Sequence, residues 1–255
     1  MVQRLVVHAG FHKTGTTTLQ NTLATHRDLL RPHAHVILRA DMKGLCEAAR
    51  AYSKTRTDFD LGLVAYEAAL LAEGWDSDTV LMSSEDLSGH MPGRHDLTDY
   101  RAAIALAATM TDTWRATCPD IEITWVYTTR AAVPWLASCH VQHLRAARMT
   151  LDADAYADAF AGSAEHNDIA ARVRDRVIDA DVHTLALEAH RSNLLDPMLA
   201  LGGLSENLRV QITPLPPANT SPSTDTIAEM LALNRSDLPQ SKWRAAQNAL
   251  NRRSN

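Results

Sequence analysis

Residues 8–20, His-Ala-Gly-Phe-His-Lys-Thr-Gly-Thr-Thr-Thr-Leu-Gln, restrict the possible folds of this chain more than any other stretch. They follow the apolar residues Leu5, Val6 and Val7 and lead into a segment in which Leu19 and Leu23 lie four apart. A short apolar run reads as a buried strand and the four-residue spacing as a helix face, so the order is strand, glycine-bearing turn, helix. Such a turn suits an anion. The first N–H groups of a helix have no intrahelical acceptor, and the positive end of the helix dipole lies at the same place. Thr14, Gly15, Thr16, Thr17 and Thr18 let backbone approach closely and add donors, while Lys13 supplies a point charge. Lysine is scarce, four among 25 Lys and Arg residues, so its presence in this loop carries weight.

The nucleoside triphosphate loop G-x-x-x-x-G-K-[ST] shares the spacing of Gly10 and Gly15, but here Thr16 follows the second glycine and Lys13 stands two residues before it. A lysine after that glycine reaches the β- and γ-phosphates. One before it approaches from the other side, where a shorter anion chain would end. Lys-Thr-Gly-Thr-Thr after a first strand resembles the 5′-phosphosulfate loop of sulfotransferases that use 3′-phosphoadenosine 5′-phosphosulfate (PAPS).

Further along, residues 32–38 read as a short strand after Pro32, and 43–73 as a mostly helical crossover whose apolar side comprises Leu61, Leu63, Val64, Ala68, Leu70 and Leu71. Residues 79–84 form a short buried strand ending at Glu85 and Asp86. The breaker-rich stretch 89–95 reads as an exposed loop, followed by a helix over 97–115 and a strand over 121–128. A helix begins near Pro134, and 181–188 is a fifth strand followed by a helix over about 192–201 that Gly202 and Gly203 end. Residues 209–212 read as an edge strand, and an amphipathic helix carries Ile227, Met230, Leu231 and Leu233. Recurring strand and helix predict an α/β fold, three-layer α/β/α with a central, mainly parallel sheet of about five strands. The expectation is one domain over 1–255, with a late loop and C-terminal helix from about 214. Ligands of such sheets sit at the carboxyl ends of the strands.

The strand-end rule selects Glu85, Arg130 and, one helical turn beyond Pro134, Ser138. Arg130 and Ser138 resemble the pair with which sulfotransferases hold the 3′-phosphate of PAPS, and a guanidinium fork with a hydroxyl suits phosphate oxygens. Family members close the nucleotide with a late loop. Asn219 and Ser221 occupy that part of the chain, although the glycine- and lysine-bearing late motif of the family is missing. The resemblance covers about residues 4–215. It implies a P-loop-like fold and an enzyme that moves a sulfuryl group from PAPS, as co-substrate, to a hydroxyl or amine. It also implies Lys13 as the group that stabilises the leaving phosphate, with no metal. Glu85 is the best-placed base, with His12 and His90 as alternatives. The acceptor class is a small molecule or a glycan, a carbohydrate or glycolipid being favoured by a Glu-type base.

Two other readings stand beside this one. A P-loop kinase or nucleotide hydrolase would use Asp86 as a magnesium acid, but it would lack the lysine after Gly15. A non-catalytic nucleotide-binding module would keep the loop without the base.

Composition sets outer limits. With 45% apolar and 22% charged residues the chain has the composition of a globular protein, and its net charge of −5 argues against nucleic acid as partner. Three separated cysteines fit a reducing compartment, and the twelve histidines show no metal-ligand spacing beyond the helical pair His140 and His143. No run is long enough for a transmembrane segment, and Met1 to Arg4 lead directly into a strand, so the expected location is cytoplasmic.

Overall fold

The apolar runs are continuous because the sheet they form is covered on both faces. The computed structural model describes residues 2–216 and 222–253. In chain order its elements are β1 (Arg4–His8), α1 (Thr16–Thr25), α2 (Arg27–Leu30), β2 (His35–Leu38), α3 (Lys43–Thr55), α4 (Asp58–Ala72) and β3 (Thr79–Ser83). There follow α5 (Ala102–Thr117), β4 (Glu122–Thr129), α6 (Ala132–Ala146), α7 (Ala153–Phe160), α8 (His166–Arg176), β5 (Ala180–Ala186), α9 (Leu195–Leu201), α10 (Glu206–Arg209), α11 (Thr224–Arg235) and α12 (Gln240–Arg253). Short 3-10 turns follow β3 (Glu85–Ser88) and α7 (Ala161–Ala164).

The chain divides into two compact units, Met1–Arg130 with Glu165–Ala218 and Ala131–Ala164 with Asn219–Asn255. The first holds the sheet, ordered β2-β3-β1-β4-β5 with every neighbouring pair parallel. Alternate strand residues point to opposite faces. Val6, Val36, Leu81, Val126 and Leu185 meet Leu19, Leu23, Leu30, Met198 and Leu199 of α1, α2 and α9 in one cluster. On the other face Trp125 stacks on Trp114 of α5 at 6.0 Å and donates from Nε1 to Thr111 Oγ1 at 3.0 Å. The expected α/β architecture with a five-stranded, helix-flanked parallel sheet is therefore present.

The chain leaves β1 for β2 at the sheet edge, returns to β3 beside β1, and then crosses to β4 on the other side. That reversal around β1 makes its carboxyl end a topological switch point.

In the second unit Leu144, Met230 and Leu250 form a core with Ile227, Leu231 and Leu233 against it. Buried Asn234 donates to the carbonyls of Leu144 and Ala147 and accepts from Trp243 Nε1 at 2.8 Å. It thereby satisfies carbonyls left over at the end of α6.

Several local expectations need correction. Residues 209–212 form no strand: α10 occupies 206–209, and the buried Leu208 and Ile212 join the helical face of the core instead of a sheet edge. The 97–115 helix starts only at Ala102, because the chain first turns through Tyr100, which is 1% exposed. The 43–73 crossover is two helices, broken where Arg56 adopts φ 56° and Thr57 caps α4 by accepting from the Asp60 N–H. In α4 the buried face is Val64, Ala68 and Ala72, whereas Leu63 and Leu70 are exposed. The 89–95 loop is packed over much of its length, with Gly89, Met91 and Pro92 buried. Among the described residues no helix is long and apolar enough to cross a membrane.

Candidate functional site

The turn after β1 is held from beneath by a buried chain of polar groups. His8 Nδ1 lies 2.7 Å from Ser83 Oγ, and its Nε2 lies 3.2 Å from Thr128 Oγ1. Thr128 Oγ1 is in turn 2.6 Å from Thr14 Oγ1, which donates to the Phe11 carbonyl at 2.5 Å. One side chain each from β1, β3 and β4 thus ties the turn to the three central strands. Burial pushes the His8 imidazole down to about 4, against a smaller upward pull from Glu85, so the ring is neutral and serves one hydroxyl as donor and the other as acceptor.

Gly10 is confined by the same network, since a Cβ there would lie 2.0 Å from Thr128 Oγ1 and 2.5 Å from His8 Nε2. Phe11 is fully buried, 4.7 Å from the Tyr100 ring and stacked on His166 at 4.6 Å. The turn then reverses through two left-handed residues, Lys13 at φ 66° and Gly15 at φ 95°. Gly15 is the N-cap of α1; no side chain caps this helix and no acid lies in its first turn. The positive end of α1 is thereby presented without a built-in counter-charge.

Of the loop residues expected to contact a ligand, Lys13, Gly15 and Thr18 are half-buried, Thr17 is exposed, and Thr14 and Thr16 are buried. Thr14 spends its hydroxyl inside the turn. The first three threonines of α1 fan out because successive helical residues are about 100° apart. Arg130, at the end of β4, donates from Nη1 to the Lys13 carbonyl at 3.2 Å, which brings two of the expected residues into direct contact. Ser138 lies on α6, half-buried and in the second unit. Asn219 and Ser221 lie outside the described residues.

Glu85 and Asp86 begin the 3-10 turn after β3, capped by Ser84, whose Oγ accepts from the Asp86 N–H at 3.2 Å. Glu85 is half-buried, and its Oε2 accepts from Gln20 Nε2 at 2.8 Å. Gln20 stands one turn into α1, so Glu85 is anchored to the helix whose N-terminus forms the loop. His12 donates its backbone N–H to the Tyr100 hydroxyl at 3.3 Å. Its Nδ1 lies 3.1 Å from the same hydroxyl, and its Nε2 lies 3.8 Å from Asp86 Oδ1.

Asp86 accepts from Arg39 Nε at 2.6 Å and lies 4.0 Å from Arg50 Nε. Burial pushes its carboxyl up, but the hydrogen bonds and charges of His12 and Arg39 outweigh that and hold it below the usual carboxylate range. His90 accepts from Arg50 Nε at 3.5 Å, and burial followed by the nearby Arg50, His95 and Lys54 push it down to about 4. On α6, His140 and His143 are engaged separately, His140 Nε2 with the Leu151 carbonyl and His143 Nδ1 with the Tyr156 hydroxyl.

Sequence reasoning missed His8, Ser83, Thr128, Gln20 and Tyr100. His8, Ser83 and Thr128 carried a weak signal, as polar residues inside otherwise apolar strands. Gln20 and Tyr100 carried none, because only folding brings Gln20 to Glu85 and Tyr100 to His12.

No protein-family model matches the sequence. No curated protein matches it either. Among solved structures, the chain is similar to a sulfotransferase from Alicyclobacillus acidocaldarius, with a TM-score of 0.51 and 17% sequence identity over 96% of this chain and 99% of that one. At that identity the likeness is one of fold, extending over nearly the whole of both chains.

Proposed function

We propose that this protein is a sulfotransferase that uses PAPS as donor. The observation that carries the reading is the turn itself: its lysine precedes the helix-capping Gly15, and Arg130 from β4 reaches the Lys13 carbonyl at 3.2 Å. A lysine and an arginine thus meet at the turn that leads into a helix with no acid in its first turn. This suits a ligand with one phosphate group at the helix and a second near the β4 end. The sulfotransferase fold of the similar bacterial structure supports the same reading.

PAPS supplies the sulfuryl group. The acceptor oxygen forms a bond to sulfur as the bond between sulfur and the bridging oxygen breaks, leaving adenosine 3′,5′-bisphosphate. Lys13 and the first N–H groups of α1 stabilise the negative charge on the leaving phosphate. Glu85, oriented by Gln20, takes the acceptor proton, and His12 stands at the same strand-end rim. Arg130 holds the 3′-phosphate; the assignment of Ser138 to that phosphate rests on sequence spacing, and those of Asn219 and Ser221 on their place in the late loop. The acceptor is a hydroxyl- or amine-bearing small molecule or glycan.

A magnesium-dependent kinase or hydrolase is a weaker reading. Asp86, its metal-ligand candidate, is in a 2.6 Å hydrogen bond with Arg39 and would have to surrender that partner to a cation. Calorimetry with adenosine 3′,5′-bisphosphate and with ATP plus magnesium, together with transfer of labelled sulfate from PAPS, tests the proposal. Preference for ATP overturns it, and nucleotide binding without transfer to any acceptor tried would favour a binding module.

A further inference from the structure

Beside the Glu85 rim lies a cluster of basic side chains that the proposed transfer chemistry does not use. Arg50 and Lys54 sit one turn apart on α3, Arg39 follows β2, and His90 and His95 come from the loop after the 3-10 turn. Asp86 is the acid among them and is matched at 2.6 Å by Arg39. Arg50 stands off at 4.0 Å from that carboxylate, and its Nε is directed to His90, 3.5 Å away. A guanidinium paired chiefly with a neutral ring, its side chain 34% exposed, has charge left for a ligand.

The loop that brings the histidines is built for this place. The Ser53 hydroxyl donates to the Arg50 carbonyl at 2.8 Å and accepts from the His90 N–H at 3.0 Å, clamping the loop backbone to α3. Gly89, at φ 86°, packs so closely that a Cβ would lie 2.6 Å from Ser53 Cβ. His95 and Asp96 hold consecutive left-handed conformations, φ 55° and 58°, and the His95 ring lies 4.8 Å from that of His90. Left-handed non-glycine residues are unfavourable and persist where the surroundings enforce them. Burial is the main reason that His90 is depressed, and the charges of Arg50, His95 and Lys54 add to it in the same direction.

We propose that Arg50, with Lys54, His90 and His95, forms an oxyanion subsite beside Glu85, so that the acceptor is an anionic alcohol or amine carrying a carboxylate or sulfate group. This rests on the sulfotransferase reading for the identity of the neighbouring rim as the transfer site. The fork of Arg50 meets two oxygens of the acid group, and the loop histidines close its other side.

The test is calorimetric titration with p-nitrophenyl β-D-glucuronide, its 6-sulfo-β-D-glucoside counterpart and the neutral β-D-glucoside, each with and without adenosine 3′,5′-bisphosphate. One or both acidic glycosides should bind at least about tenfold tighter than the neutral one, and the stronger of the two identifies carboxylate or sulfate. Arg50→Ala should erase the preference, and Lys54→Ala, at an exposed position of the same helix, should reduce it severalfold. Equal binding of the three glycosides, no binding of any, or a preference unchanged in both variants overturns the subsite. Failure of the bisphosphate to bind while the acidic glycosides still do overturns the sulfotransferase reading instead.

Discussion

The Arg130 guanidinium donates to the backbone carbonyl of Lys13 at 3.2 Å, across 117 positions of sequence. A single cation at the end of β4 thus contributes charge to the rim and at the same time braces the left-handed residue that precedes Gly15. These two functions can be separated by substitution. Arg130→Ala should weaken binding of adenosine 3′,5′-bisphosphate by about tenfold or more, as expected for loss of a hydrogen bond to a charged group. Arg130→Lys should recover part of this, because a point charge replaces the fork. Calorimetry reads both, and wild-type affinity in Arg130→Ala would remove Arg130 from the nucleotide site.

Glu85 tests the assignment of the base. Glu85→Gln retains the shape and the contact with Gln20 but removes the proton acceptor, so sulfate transfer should fall by about 10²–10⁴-fold with nucleotide binding nearly unchanged. If turnover persists, His12 becomes the candidate, and His12→Asn is the next variant to assay.

The buried polar chain beneath the loop should matter to stability before it matters to chemistry. Thr14→Val deprives the Phe11 carbonyl of its donor and leaves the Thr128 hydroxyl short of a partner. The cost should be about 1–3 kcal/mol, read by urea denaturation. A loss below the precision of that measurement would mean that the turn holds its shape without the clamp.

Acid should destabilise the first unit well above the carboxylate range. His8 and His166 are both pushed down to about 4 by burial, from an unfolded value near 6.5. Between those values the unfolded chain binds more protons than the folded one, so stability falls as pH is lowered from about 6.5 toward 4, each histidine contributing a slope on the order of 1 kcal/mol per pH unit. The depressed Asp86 acts in the same direction only below its unfolded value near 3.8. Denaturation midpoints at pH 7 and pH 5 measure the effect, and His166→Gln should reduce the difference. Equal midpoints would show that these rings protonate in the folded protein.

Much of the framework was legible because it depends on local pattern. The apolar runs of β1, β3 and β4 are buried on both faces and so read directly, and the glycine-bearing turn follows from its residues alone. Residues 209–212 show how the pattern fails. Val210 and Ile212 alternate as a strand would, yet Val210 is 74% exposed while Leu208 and Ile212 pack against the helices of the core. Four residues cannot distinguish strand alternation from the irregular end of a short helix. The 89–95 stretch failed for a different reason. Breakers predict turns, but whether a turn faces water depends on what packs over it, and here α3 does, through Ser53.

The sequence by itself determined the strand-turn-helix unit around Lys13 and Gly15 and the positions of Glu85 and Arg130 at strand ends, because conformational preference and hydrophobic periodicity act over a few residues. Only the tertiary structure decided that Arg130 meets the Lys13 carbonyl, that Gln20 holds Glu85, that Thr14 turns its hydroxyl inward, and that Arg50 faces His90. Those relationships join residues far apart in sequence through strand order and helix packing, and contacts of that kind leave no periodic trace in either partner.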